Sequence, residues 1–235
     1  MGDKILLLHS DKSNSNVYTL DKRIQGIYRF KSFVSTNNMY NVNDTNNKIY
    51  FNETVGLGTN DYIATLTNGY YDANDLNTNI STAISNQASG IITVSYDDNT
   101  SKYTITNTNE FHFTFGSNTS NSAHKLLGFN ASDGTDSLSQ TSDVPIDLNP
   151  CKNIFVTITE DDNRYVEGID FFNCSLVVNG VSGFGEIMRY IDVDNFIQLL
   201  KFKNTKQLSV SFHDANNNII DLNSEYQIIL QKIQS

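Results

Sequence analysis

The chain has 235 residues, 38% of them hydrophobic, and a formal net charge of −10. That length supports one large or two small domains with real cores, and the 14 Phe and 12 Tyr argue against disorder. The acidic balance, with no basic run in the sequence, argues against a general nucleic-acid binder and against docking on an anionic membrane, leaving proteins as the expected partners.

Ile5–Leu8 reads as a short apolar strand, followed by a polar loop and a second extended segment at Val17–Leu20. Ile27–Val34 alternates as a half-buried strand with Arg29 and Lys31 on its wet face. Asn37–Asn47 is turn-rich, Lys48–Phe51 is extended again, and Tyr62–Leu66 leads into a helix. Leu76, Ile80, Ala83 and Ile84 make a single helical stripe. Asp72 is placed to cap its first turn, with Asp75 as an acidic variant of the capping box, and Gly90 is the expected stop. Three strand-like runs follow, Ile91–Tyr96, Lys102–Thr106 and Phe111–Phe115, then a short helix at Ser122–Leu127. Ala131–Ser142 reads as an exposed loop.

After Pro150 the extended pattern resumes at Asn153–Ile158. Phe171–Val178 runs into Asn179-Gly180, a strong hairpin signal, and Gly183-Phe184-Gly185 reads as a loop. Glu186–Val193 and Phe196–Phe202 read as strands, with a turn of helix at Asp194–Leu200 as the alternative, and Leu208–Phe212 and Tyr226–Ile233 close the chain. Many strands joined by polar loops, without alternating helices, predict a mostly β protein: an antiparallel jelly-roll sandwich with an inserted α+β subdomain. The expected division is 1–60 with 136–235 for the sandwich and 61–135 for the insert.

No catalytic, cofactor-binding or metal-ligating residue is nominated. His9, His112, His124 and His213 are scattered and none pairs at metal spacing. Glu160-Asp161-Asp162 and Asp192/Asp194 could serve as a glycosidase acid pair, but a chain with 26 acids supplies such clusters freely. Asp214, Asn216, Asn218 and Glu225 match calcium-loop ligand positions, yet Ile219 stands where the sharp turn needs glycine, and the flanks read as strands. A hairpin loop is expected there, with a weak cation site at Asp214–Glu225 left open. Cys151 and Cys174 form no disulfide framework and are expected to be reduced thiols. No apolar run reaches membrane-span length, Lys4–His9 is too short for a signal-peptide core, and Leu6 breaks the myristoylation pattern.

The stretches NGYYDANDLNTNISTAISN, ITVSYDDNTSKYTITNTNEFHFTF and HKLLGF resemble a module of the minor capsid and penton proteins of virophages and polinton-like viruses, in the double-jelly-roll DNA virus lineage. The flanks are similar as well: IYRFKSFVSTNNMYNVNDTNNKIYF to the early strands, VPIDLNPCKNIFVTI to the strand re-entering the sandwich, and LSVSFHDANNNIIDLNSEYQIILQKI to the closing hairpin. Tyr165–Phe202 matches weakly. The resemblance implies a non-enzymatic virion protein, a jelly-roll subunit forming a homopentamer at the fivefold vertex beside the major capsid protein. A minor protein bridging capsomers and a receptor- or glycan-binding virion module are the alternatives.

Overall fold

The computed structural model describes residues 5–10, 17–149, 151–160, 166, 175–179, 183–191, 198–215 and 217–233. Among these, the elements in chain order are β1 (Ile5–Ser10), β2 (Val17–Thr36), β3 (Lys48–Val55), β4 (Gly58–Thr65), α1 (Ala73–Ser85), β5 (Ile92–Asp97), β6 (Lys102–Phe113), β7 (Ser137–Thr141), β8 (Asn153–Glu160), β9 (Leu176–Asn179), β10 (Ile187–Ile191), β11 (Leu199–His213) and β12 (Tyr226–Lys232). Every pair of these strands is antiparallel. The helix α1 is too short and too polar to cross a membrane.

The chain divides into two compact units, 1–39 with 151–235, and 40–150. This differs from the division at 60/61 and 135/136 expected from the sequence. The reason is pairing: β3 bonds to β4 and β6, and β7 bonds to β6, so their segments belong with the helix.

Among its described residues, the first unit is one seven-stranded sheet in the order β1-β12-β2-β11-β8-β9, with β10 added on β2. Alternating residues bury Tyr28, Phe30, Phe33, Phe202, Phe212, Ile228 and Leu230 in a single core. Val17–Leu20 and Ile27–Val34, expected as separate strands, are one twenty-residue strand, β2. Its inward parity changes between Phe30 and Phe33, because Lys31 is an extra residue opposite the Ile229/Leu230 step of β12. Likewise Leu199–Phe202, from the expected strand Phe196–Phe202, and Leu208–Phe212 are joined within β11, through irregularities between Phe202 and Gln207, while Phe196 and Ile197 lie outside the described residues. Of Phe171–Val178, only Leu176 onward and the preceding Ser175 lie among the described residues, and Gly180 lies outside them.

In the second unit, α1 forms as its pattern predicts. The Asp72 carboxylate accepts from the N–H groups of Asn74 (2.9 Å) and Asp75 (2.8 Å), and Leu76, Ile80, Ala83 and Ile84 are buried. The helix ends at Asn86, not at Gly90. Gly90 has another role: a Cβ there would fall 2.0 Å from Asn107 Oδ1, so glycine permits the loop to lie directly on β6. The two expected strands within 102–115 are one strand, β6, and the region read as an exposed loop contains β7. Ser122–Leu127 is a run of turns with a single helical bond, Leu127 N–H to Ala123 C=O (3.0 Å), rather than a helix. The core of this unit joins α1 to Phe51, Tyr103, Phe111, Phe113 and Phe129.

Candidate assembly surfaces

The four histidines are not brought together. His9 is exposed on β1. His112 projects from β6 to Asp136, Nδ1 to Oδ1 2.7 Å. His124 is 3.0 Å from Ser122 Oγ, and burial, then the charge of Lys125, lowers its pKa from the ordinary imidazole value. His213 meets Ser211 Oγ at 2.9 Å. Nearby, Asp133 accepts from the N–H of Gly116 and Ser117 (2.9 Å each) and from the Ser117 hydroxyl, and the bonds from Ser117, hydroxyl first, lead in holding its carboxyl below the usual range. These contacts clip the 131–136 loop to β6 and the turn after it.

Glu160 is buried at the end of β8, where its carboxylate accepts the Lys203 N–H at 2.9 Å. Asp161, Asp162, Asp192, Asp194 and Cys174 lie outside the described residues. In the loop 214–225, both oxygens of Asp214 are taken by Asn218, Oδ1 by its N–H and Oδ2 by its side-chain amide, each at 2.9 Å. Asp214 N–H and Asn218 C=O pair at 3.0 Å, so the turn is closed by its own groups; Asn216 lies outside the described residues. Among the described residues no group of three or more His, Cys, Asp or Glu side chains is placed to hold a metal ion. At Gly183-Phe184-Gly185 the expected loop forms, with Gly185 at φ +76° and its N–H bonded to the Asn37 carbonyl at 2.7 Å.

The carboxylate missed by sequence reading is Glu53, at 0% exposure on β3. It accepts from Ser89 N–H (2.7 Å), Gly90 N–H (2.8 Å), Asn107 Nδ2 (2.8 Å) and Asn109 Nδ2 (3.1 Å). Burial alone would raise its pKa, but these bonds outweigh burial and hold it below the ordinary value. The arrangement locks the loop after α1 onto β6. A lone Glu in a strand gives no warning of this; only the inward parity of β3 does.

What the first unit offers outward is a mixed sheet face. Leu7, Ile229, Ser32 and Ile191 stand in one row across β1, β12, β2 and β10, and His9, Gln227, Val34 and Arg189 in the next. Ile5 (66% exposed), Leu7 (53%), Ile187 (68%) and Ile191 (49%) are far more open than core aliphatics. These exposed aliphatics share one face of the sheet, interleaved with polar residues. The edges are treated differently. β1 ends the strand order, whereas Gln198 closes β9: its Oε1 accepts from Val177 N–H (2.7 Å) and its Nε2 donates to Val177 C=O (2.8 Å). This side-chain amide takes the place of a further strand.

Charge is segregated. Residues 40–150 carry 12 acidic and 3 basic side chains, net −9, while the rest of the chain carries 14 and 13, net −1.

No protein-family model matches the chain, and no curated protein matches it. Among solved structures it is similar to the crystal structure of the selenomethionine-labelled mavirus penton protein, with a TM-score of 0.52 and 12% identity over 98% of this chain and 99% of that one. The likeness is one of fold, a mostly β, antiparallel jelly roll.

Proposed function

We propose that the chain is a penton subunit, a viral structural protein that assembles as a homopentamer at the fivefold vertices of an icosahedral capsid, beside the major capsid protein. The observation that carries this reading is end-to-end likeness of fold to a penton protein, covering nearly all of both chains. The residue chemistry is compatible with it. The conspicuous polar clusters at Glu53, Asp133 and Asp214 spend their oxygens on neighbouring backbone and side-chain groups, as structural carboxylates do.

A cyclic ring is built from heterologous contacts, in which one patch of a subunit meets a different patch on the next. Strand β1, terminal in the sheet among the described residues, and the outer face carrying Ile5, Leu7, Ile187 and Ile191 suit such a contact. Assembly then gathers five copies of a unit with net charge −9. Their mutual repulsion is screened as ionic strength rises, so association strengthens with salt. Sedimentation across protein concentration and salt tests this: a species of five 26.4 kDa chains, about 132 kDa, favoured by salt, is expected. A monomer under all conditions would instead favour a capsomer-bridging minor protein.

A further inference from the structure

Residues 40–150 contain an oxygen-rich corner where the turn 43–47 is laid against 66–69. Val42 and Gly69 exchange both backbone bonds, at 3.0 and 2.9 Å, and the Leu66 N–H donates to the Asn47 carbonyl at 2.8 Å. The turn is also braced from within. Asn43 Oδ1 accepts the Thr45 N–H (2.9 Å) and hydroxyl (2.6 Å), while Asn46 accepts the Asn43 N–H and donates to the Asn41 carbonyl, each at 2.8 Å. Backbone bonds on both sides therefore hold Asp44, Asn47 and Asn68 together.

The bonding among these three is one-sided. Asn68 Nδ2 donates to Asp44 Oδ1 at 2.7 Å, and Asn47 Nδ2 donates to Asn68 Oδ1 at 3.0 Å and lies 3.5 Å from Asp44 Oδ1. Every one of these contacts to the exposed Asp44 falls on Oδ1, which leaves Oδ2 available, unlike the carboxylate of Asp214. Asn47 is only 6% exposed, and its buried Oδ1 has no hydrogen-bond partner among the described residues. A buried carbonyl oxygen in that condition is uncommon and calls for a ligand.

We propose that Asp44, Asn47 and Asn68 form a calcium site. A half-turn of the Asn47 amide about its Cβ–Cγ bond exchanges its two ends. Oδ1 then stands where Nδ2 does now, about 3.0 Å from Asn68 Oδ1 and about 3.5 Å from Asp44 Oδ1. Three oxygens that close repel one another unless positive charge lies between them. One carboxylate and two amide carbonyls, without nitrogen or sulfur, are the donor set of a hard cation. Size selects among such cations. Neighbouring oxygens of an octahedron lie √2 times the metal–oxygen distance apart, about 2.9 Å for Mg²⁺ and about 3.3–3.7 Å for Ca²⁺, and the additional ligands calcium takes shorten these edges. The separations here suit calcium, with Asp44 Oδ2 and water completing the shell. A single carboxylate sets a weak affinity, with Kd on the order of 10⁻³ M. The inference is independent of the capsid reading.

The test is isothermal titration calorimetry of the chelator-treated full chain with CaCl₂ and, separately, MgCl₂, at a fixed ionic strength of about 0.15 M that screens diffuse attraction to the acidic surface. Saturable calcium binding and weaker magnesium binding are expected. D44N removes the carboxylate and should weaken calcium binding at least about tenfold, whereas N68D, at an exposed position, adds a second carboxylate and should tighten it about tenfold. D98N removes one exposed acid from the turn between β5 and β6 and should bind as the original chain does. Circular dichroism establishes that each variant is folded, and D44N against D98N decides the matter if N68D is not. Absence of saturable binding, equal binding by D44N, equal loss in D98N, or magnesium bound as tightly as calcium would overturn the inference.

Discussion

Removing the Glu53 carboxylate should be among the most damaging single changes in residues 40–150. Four donors converge on it, two backbone N–H groups and two side-chain amides, at 2.7–3.1 Å, and Glu53 and Asn107 are both buried. Each buried donor left without an acceptor costs about 1–3 kcal/mol, and hydrogen bonds to a charged group are the stronger kind. Water reaching Ser89 and Asn109 recovers part of this, so Glu53→Ala should cost about 3–5 kcal/mol. Glu53→Gln keeps one oxygen for the Gly90, Asn107 and Asn109 donors but turns an N–H toward Ser89, and should cost about 2–3 kcal/mol. The pH dependence has a definite sign. Because the folded pKa lies below the unfolded one, the carboxylate's contribution is present above the unfolded value and is lost as pH falls through the folded one. Urea melts followed by circular dichroism at neutral and acid pH should therefore show a large deficit for Glu53→Gln at neutral pH that narrows in acid. A loss below about 1 kcal/mol for Glu53→Ala, or parallel acid limbs for the original chain and Glu53→Gln, would refute the lock.

Gly90→Ala drives a methyl group into Asn107, whose amide is held by Glu53, and should cost about 1–3 kcal/mol in the same melts; an unchanged midpoint would show that the loop moves aside freely. The Cys151 thiol is pushed up to about 11 by burial, which outweighs the lowering effect of a backbone hydrogen bond from Asn153, so alkylation at neutral pH should be slow until denaturant is added; peptide mapping that finds rapid labelling of the native chain would contradict its placement. Residues 40–150 hold a core of their own, and we propose that they fold as a separable domain, so this segment expressed alone should unfold cooperatively; a broad, non-cooperative melt would count against that.

The elements legible in the sequence are those whose burial follows a simple period. The α1 stripe and its Asp72 cap appear where spacing puts them. β6 is obscured at its centre because Asn107 points inward to Glu53, and a polar residue at an inward position imitates a break. β2 is obscured by Asp21-Lys22-Arg23, and β11 by Lys203, Asn204, Lys206 and Gln207, which are exposed strand residues at irregularities of the register rather than loops. The unit boundary at 39/40 was not readable, since Lys48–Phe51 looks like any other half-buried strand until its partners are known. That same boundary hides the separation of charge: a sum over 235 residues does not show that residues 40–150 carry net −9 of the total −10. The capsid likeness was legible as diffuse patterning along most of the chain, whereas contact surfaces depend on register, as the row through Leu7, Ile229, Ser32 and Ile191 illustrates.

Electron microscopy of the purified recombinant chain tests the central claim most directly. Ring-shaped particles are expected, with class averages that carry fivefold symmetry and with an abundance that grows as salt is raised. Particles of any other symmetry, or a uniform population of monomers at every salt and protein concentration, would contradict it.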